Sequence, residues 1–161
     1  MAEKQDAFKL TAREQFILDQ CVRIEEKCAG LYRHFEKLHA EIPELATLWH
    51  NIAREEDSHA ESFRLSARLK GVGIEHFNNC DTTVALVNEI DDYLDANRLA
   101  KPSPVEALSF AINMERKLGE FHIGKSVLVF NDAALEKAFI DNVHWCKEHV
   151  ATLEKALERM V

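Results

Sequence analysis

Hydrophobic positions recur at intervals of three and four through most of the chain, and this spacing predicts four long helices. The first covers about 12–40, with a stripe of Ile17, Cys21, Ile24/Glu25, Cys28, Leu31/Tyr32, Phe35 and Leu38. The second, about 44–70, carries Leu45, Leu48, Ile52, Glu56, His59 and Phe63. The third, about 103–129, carries Val105, Leu108, Ala111/Ile112, Glu115, Leu118, His122 and Val129. The fourth, about 132–160, carries Leu135, Phe139, Asn142, Cys146, His149, Leu153 and Ala156/Leu157. Pro43 separates the first two helices, and Gly71 and Gly73 mark the end of the second. Ser103, Pro104 and Glu106 form a capping box with proline at the first helical position, and Asp132 is a cap for the fourth helix. Short links within each pair predict two antiparallel hairpins. A connection of roughly 30 residues, containing a short helix at 82–97, joins them. The expectation is all-α: one four-helix-bundle domain over 1–161, with a crossover long enough to travel the bundle's length.

Each apolar stripe is interrupted near its middle by groups that do not belong in oil: Glu25, then Glu56 with His59, then Glu115, then Cys146 with His149. The helix midpoints fall near 26, 57, 116 and 146, so packing side by side brings these residues to one level. A buried carboxylate needs a proton, a partner or a metal. Three carboxylates and two imidazoles are hard to satisfy with one another, whereas metal cations satisfy them together. The spacing Glu56-x-x-His59 puts both side chains on one helix face. The competing reading is a solvated face, since Arg54, Glu55, Asp57 and Glu61 surround the motif. Likewise Arg116 and Lys117 could pair with Glu115, His149 could be a hydrogen-bonded core histidine, and Cys146 could be a small buried hydrophobe. His122 lies two turns from Glu115, too far for the same ion, and reads as a core or edge histidine or a proton relay. Tyr32 reads as core packing or a hydrogen-bond donor into the site. Asp141-x-x-His144 has the motif spacing but lies on another face and reads as surface.

A shift of 90 residues lays the first hairpin on the second without a gap. Glu25 falls on Glu115, Tyr32 on His122, Glu56 on Cys146 and His59 on His149. Apolar positions follow, with Leu18 on Leu108, Leu31 on Phe121, Leu38 on Leu128 and Phe63 on Leu153. One offset for both helices suggests a duplicated hairpin with a pseudo-two-fold axis through the polar layer, which suits a site for two ions.

Composition narrows the function classes. A net charge of −8 argues against nucleic acid and against a basic membrane-surface module. No apolar run approaches a membrane span, and "MAEKQDAFKL" has no signal-peptide core. Cys21, Cys28, Cys80 and Cys146 form no Cys-x-x-Cys pair, so neither a disulfide framework nor a structural zinc site is expected. Cys21 and Cys28 read as core. A reducing cytoplasm is the expected location.

The segments "VRIEEKCAGLYRHFEKL", "LWHNIAREEDSHAESFRL", "FAINMERKLGEFHIGKSV" and "HWCKEHVATLEKAL" resemble, in order, the four helices of the rubrerythrin-like branch of the ferritin-like superfamily. That family supplies one Glu from each of the first and third helices and Glu-x-x-His from each of the others. The resemblance implies a ferritin-like bundle with Glu25, Glu56, His59, Glu115 and His149 as metal ligands, Glu25 and Glu115 bridging. It implies iron, most simply a di-iron pair, and peroxide reduction or iron oxidation with electrons from an external donor. It also makes a homodimer the expected partner state. Cys146 stands where the family has its sixth ligand, a Glu, and the family's rubredoxin domain is not in this chain. As a thiolate Cys146 is a softer ligand; as a thiol it removes one carboxylate. The outcomes are an altered di-metal site, a single-metal site on Glu25, Glu56 and His59, or a degenerate site in a sensing, metal-binding or structural protein without turnover.

Overall fold

The computed structural model describes residues 10–69, 85–126 and 133–161, and all five elements in them are helices: α1 (Ala12–Leu38), α2 (Pro43–Leu69), α3 (Ala85–Ala96), α4 (Pro104–Ser126) and α5 (Ala133–Glu158). The start of α1 is fixed by a capping box that hydropathy did not single out. The Thr11 hydroxyl accepts from the Glu14 amide, and the Glu14 carboxylate accepts from the Thr11 amide at 2.6 Å. At α4 the Ser103–Glu106 box forms as expected, with the Ser103 amide donating to Glu106 at 2.8 Å. Pro43 belongs to α2 as its first residue rather than only separating it from α1, because a missing N–H costs nothing there. Gly71, Gly73, Cys80, Val129 and Asp132 lie outside the described residues.

Ion pairs give the direction of each hairpin. Arg33 reaches Asp57 while Glu26 reaches Arg64, so α1 and α2 run antiparallel. Contacts of Arg116 with Glu154 and of His122 with Phe139 establish the same for α4 and α5. The hairpins meet through α1 against α4 and α2 against α5. The short helix α3 packs on α1 and α4, burying Leu86 and Ile90, with Lys117 on Glu89 at 2.5 Å. His39 ties the end of α1 to the approach to α4, its ring nitrogens 3.1 Å from the Phe35 and Pro102 carbonyl oxygens.

Two apolar clusters fill the interior. One holds Leu31, Phe35, Trp49, Ile52, Leu108 and Leu153; the other holds Leu18, Phe63, Leu135 and Phe139. The polar level lies between them. Val105 is an exception to the predicted stripe: it is exposed, while Leu108 faces inward as expected and Ala107 joins it.

Candidate metal centre

Glu25, Glu56 and Glu115 are fully buried, and His59 and His149 are 5% and 4% exposed. Their helices enforce this. Each acid replaces one residue of an apolar stripe, so burying its neighbours carries it inward. Arg116 and Lys117 are spent on Glu154 and Glu89, and so do not neutralise Glu115.

The donors form two groups that share Glu56. Ligand atoms of Glu25, Glu56 and His59 lie within 4.8 Å of one another, as do those of Glu56, Glu115 and His149. His59 Nδ1 is 2.8 Å from Glu56 Oε2 and 3.7 Å from Glu25 Oε2. His149 Nδ1 is 3.1 Å from Glu56 Oε1 and 3.4 Å from Glu115 Oε2. Glu25 and Glu115, expected as the bridging pair, each fall in one group, and the carboxylate common to both groups is Glu56. It projects from α2 along the α2–α5 contact, where it meets the histidine of its own helix and that of α5. Glu25 and Glu115 are instead held on opposite sides by outer partners.

Those partners are His122 and Tyr32. His122 Nε2 lies 2.6 Å from Glu25 Oε1, and the Tyr32 hydroxyl donates to Glu115 Oε1. Under the offset of 90 these are one contact made twice, since Tyr32 maps on His122 and Glu115 on Glu25. The sequence reading measured His122 against Glu115 on its own helix; across the hairpins its partner is Glu25. Both rings are fully buried. The imidazoles are oriented too. His59 stacks flat on Trp145, with ring centroids 4.4 Å apart, and His149 Nε2 meets Glu55 at 2.8 Å. Trp145 and Glu55 carried no signal of these roles, because stacking across helices has no sequence period.

The electrostatics record an unmet demand for positive charge. Without a cation, protons meet it. Burial opposes charge on His149 and His59, but the carboxylates around them win, raising His149 to about 12 and His59 to about 9. Burial, then repulsion from Glu56, pushes Glu115 up to about 7. Burial also acts on Glu25, yet His122 and His59 hold it down to about 2. Cys146 and Cys28 are pushed far up by burial and by the carboxylates, so both are thiols.

The donors fit hard divalent cations. Glu25 Oε2, Glu56 Oε1, Glu115 Oε2 and His149 Nδ1 are buried atoms without a well-aligned hydrogen bond; they converge between the helices, with contacts of 3.1–3.7 Å to one another and to His59. Carboxylate oxygens with imidazole nitrogens suit iron, manganese or zinc. Cys146, 3% exposed, stands at the level of Glu115, and Asn142 one turn away bonds its own helix backbone. Asp141 pairs with Lys137 and His144 is exposed at 69%, so that second motif lies apart from the site.

Two clefts reach the level. One, about 320 Å³, opens on His59 and His149 beneath Glu55, Ser58, Trp145 and Glu148. The other, about 310 Å³, lies along α4 and α5 and opens on Glu115 and Cys146. Among the described residues no helix is long and apolar enough to cross a membrane. Compared with known proteins, the chain matches no family model, no curated protein and no solved structure.

Proposed function

We propose that this chain is a di-metal carboxylate protein of the rubrerythrin-like kind, with a ferritin-like bundle holding two iron ions. The observation that carries this reading is the sharing of buried Glu56 between two groups of buried carboxylate and imidazole donors. One ion is held by Glu25, Glu56 and His59, the other by Glu56, Glu115 and His149. A reduced iron pair supplies the two electrons that break an oxygen–oxygen bond, so the activity is peroxide reduction or iron oxidation. The chain's residues set the conditions. Glu56 links the two positions. Tyr32 and His122 fix the outer oxygens of Glu115 and Glu25, leaving the inner oxygens for the cations. The Tyr32 hydroxyl and the His122 ring bond the outer oxygens, while the Nδ1 atoms of His149 and His59 stand nearest the inner ones. The apolar clusters on either side exclude bulk water. Electrons return from a separate protein donor, and the acidic chain takes no nucleic-acid partner.

The experiment is anaerobic loading with ferrous iron followed by hydrogen peroxide. Peroxide consumed at about one per two irons, with the metal becoming ferric, supports the reading. A second reading, metal binding without turnover, is favoured by one observation: Cys146 in place of a carboxylate. Tight metal binding with no peroxide consumed beyond that of free iron selects it.

A further inference from the structure

The 90-residue offset pairs each residue of the α1–α2 seam with one of the α4–α5 seam, so the chain contains its own comparison. On the first seam Ala29, Ala53 and Ala60 are buried, Glu56 fills the interior, and Arg33–Asp57 and Glu26–Arg64 span the outside. On the second, the charge-swapped pair Arg116–Glu154 stands in for Glu26–Arg64. The rest is changed. Gly119, Val143 and Val150 replace the alanines and are only half-buried. Ile123 and Lys147 replace Arg33 and Asp57, so that no ion pair can form at that place. Cys146 ends at one sulfur where Glu56 extends to two oxygens. Three closures present on one seam are therefore missing on the other, and the 310 Å³ cleft lies there, with Glu115 and Cys146 on its floor. The Glu115 carboxylate lies buried behind that floor, with Oε2 3.4 Å from His149 Nδ1.

We propose that the α4–α5 cleft is a binding site for an external monocarboxylate with a short apolar body, whose carboxylate supplies the bridging oxygens that Cys146 lacks. This rests on the di-metal reading. Carboxylate oxygen is the donor chemistry that Glu56 provides at the symmetric position, and hard divalent cations select it over sulfur. The body is apolar because Ile123, Val143 and Val150 line the walls, and Lys147 offers an anion a cationic partner beside Glu120, Arg116 being paired with Glu154.

The test uses octanoate with the full chain loaded with cobalt(II), whose visible absorption reports ligand changes. Octanoate should bind once per chain, saturably, and alter the spectrum, with acetate at least tenfold weaker. The double substitution Ile123→Arg/Lys147→Asp restores across this seam the pair found on the other. It should leave cobalt stoichiometry unchanged and weaken octanoate at least tenfold. Gly119→Ala is the gentler variant, since its methyl would meet Cys146 Cβ at 3.6 Å, ordinary contact, while narrowing the cleft. It should weaken octanoate and leave cobalt in place. Cobalt bound with a spectrum that octanoate leaves unchanged overturns this inference alone, as does octanoate binding undiminished in both variants. Failure of cobalt to bind overturns this and the di-metal reading together.

Discussion

At the scale of single residues, protons and cations compete for the same atoms. His149 at about 12, His59 at about 9 and Glu115 at about 7 hold protons at neutral pH that a metal must displace. Loading two divalent ions at pH 7 should therefore release between about two and three protons per chain, read as the buffer dependence of calorimetric heat. The same shifts fix the stability of the metal-free chain. His59, raised in the fold, stabilises fully below 6.5, and this is lost as pH rises through about 9. Glu115, also raised, adds a cost that grows from 4.5 to about 7. Chelated protein should thus melt at lower temperature at pH 9 than at pH 6, while the melting increment from metal grows. Tyr32→Phe leaves Glu115 Oε1 buried without its donor and should weaken metal binding roughly 10- to 100-fold. Cys146→Glu, which supplies the missing carboxylate, should tighten it at least tenfold, both measured by competition with a chelator. The acids and imidazoles were legible because each breaks an apolar stripe. The role of His122 was not, since a period along one helix is blind to a partner 97 residues away.

Among the elements, the α2–α5 contact is where the two imidazoles meet a cleft. Glu55 and Glu148 line the cleft that opens on His59 and His149. Two carboxylates at the mouth concentrate cations there. Glu55→Gln/Glu148→Gln should slow cobalt uptake in stopped flow, most at low salt, and change equilibrium affinity much less. Helix number and pairing were legible from hydropathy alone, because four amphipathic stripes with two short links have few ways to bury their faces. The offset of 90 foreshadowed paired contacts, found as Tyr32–Glu115 and His122–Glu25. Which carboxylate is shared was not legible. It depends on which helix faces its counterpart across the pseudo-axis, and both α1–α4 and α2–α5 contacts satisfy the same stripes. The ends of the hairpins were also blurred: Pro43 reads as a breaker in sequence yet serves as a helix start.

For the whole molecule, a polar level set between two apolar clusters is a cost in the fold unless it is filled. Metal at about 100 times its dissociation constant would add about 2.7 kcal/mol of stability. For a chain of this size that is a rise in melting temperature of about 5–10 °C, reversed by chelation. Core packing sets the baseline: Phe35, fully buried against Trp49, should cost about 3–5 kcal/mol when cut to alanine, with metal stoichiometry retained. The most direct measurement is anomalous diffraction at the iron edge from crystals grown of anaerobically iron-loaded protein. The account predicts two interior peaks flanking Glu56, one touching Glu25 and His59, the other Glu115 and His149. An interior without anomalous density, or iron confined to surface carboxylates, would contradict it.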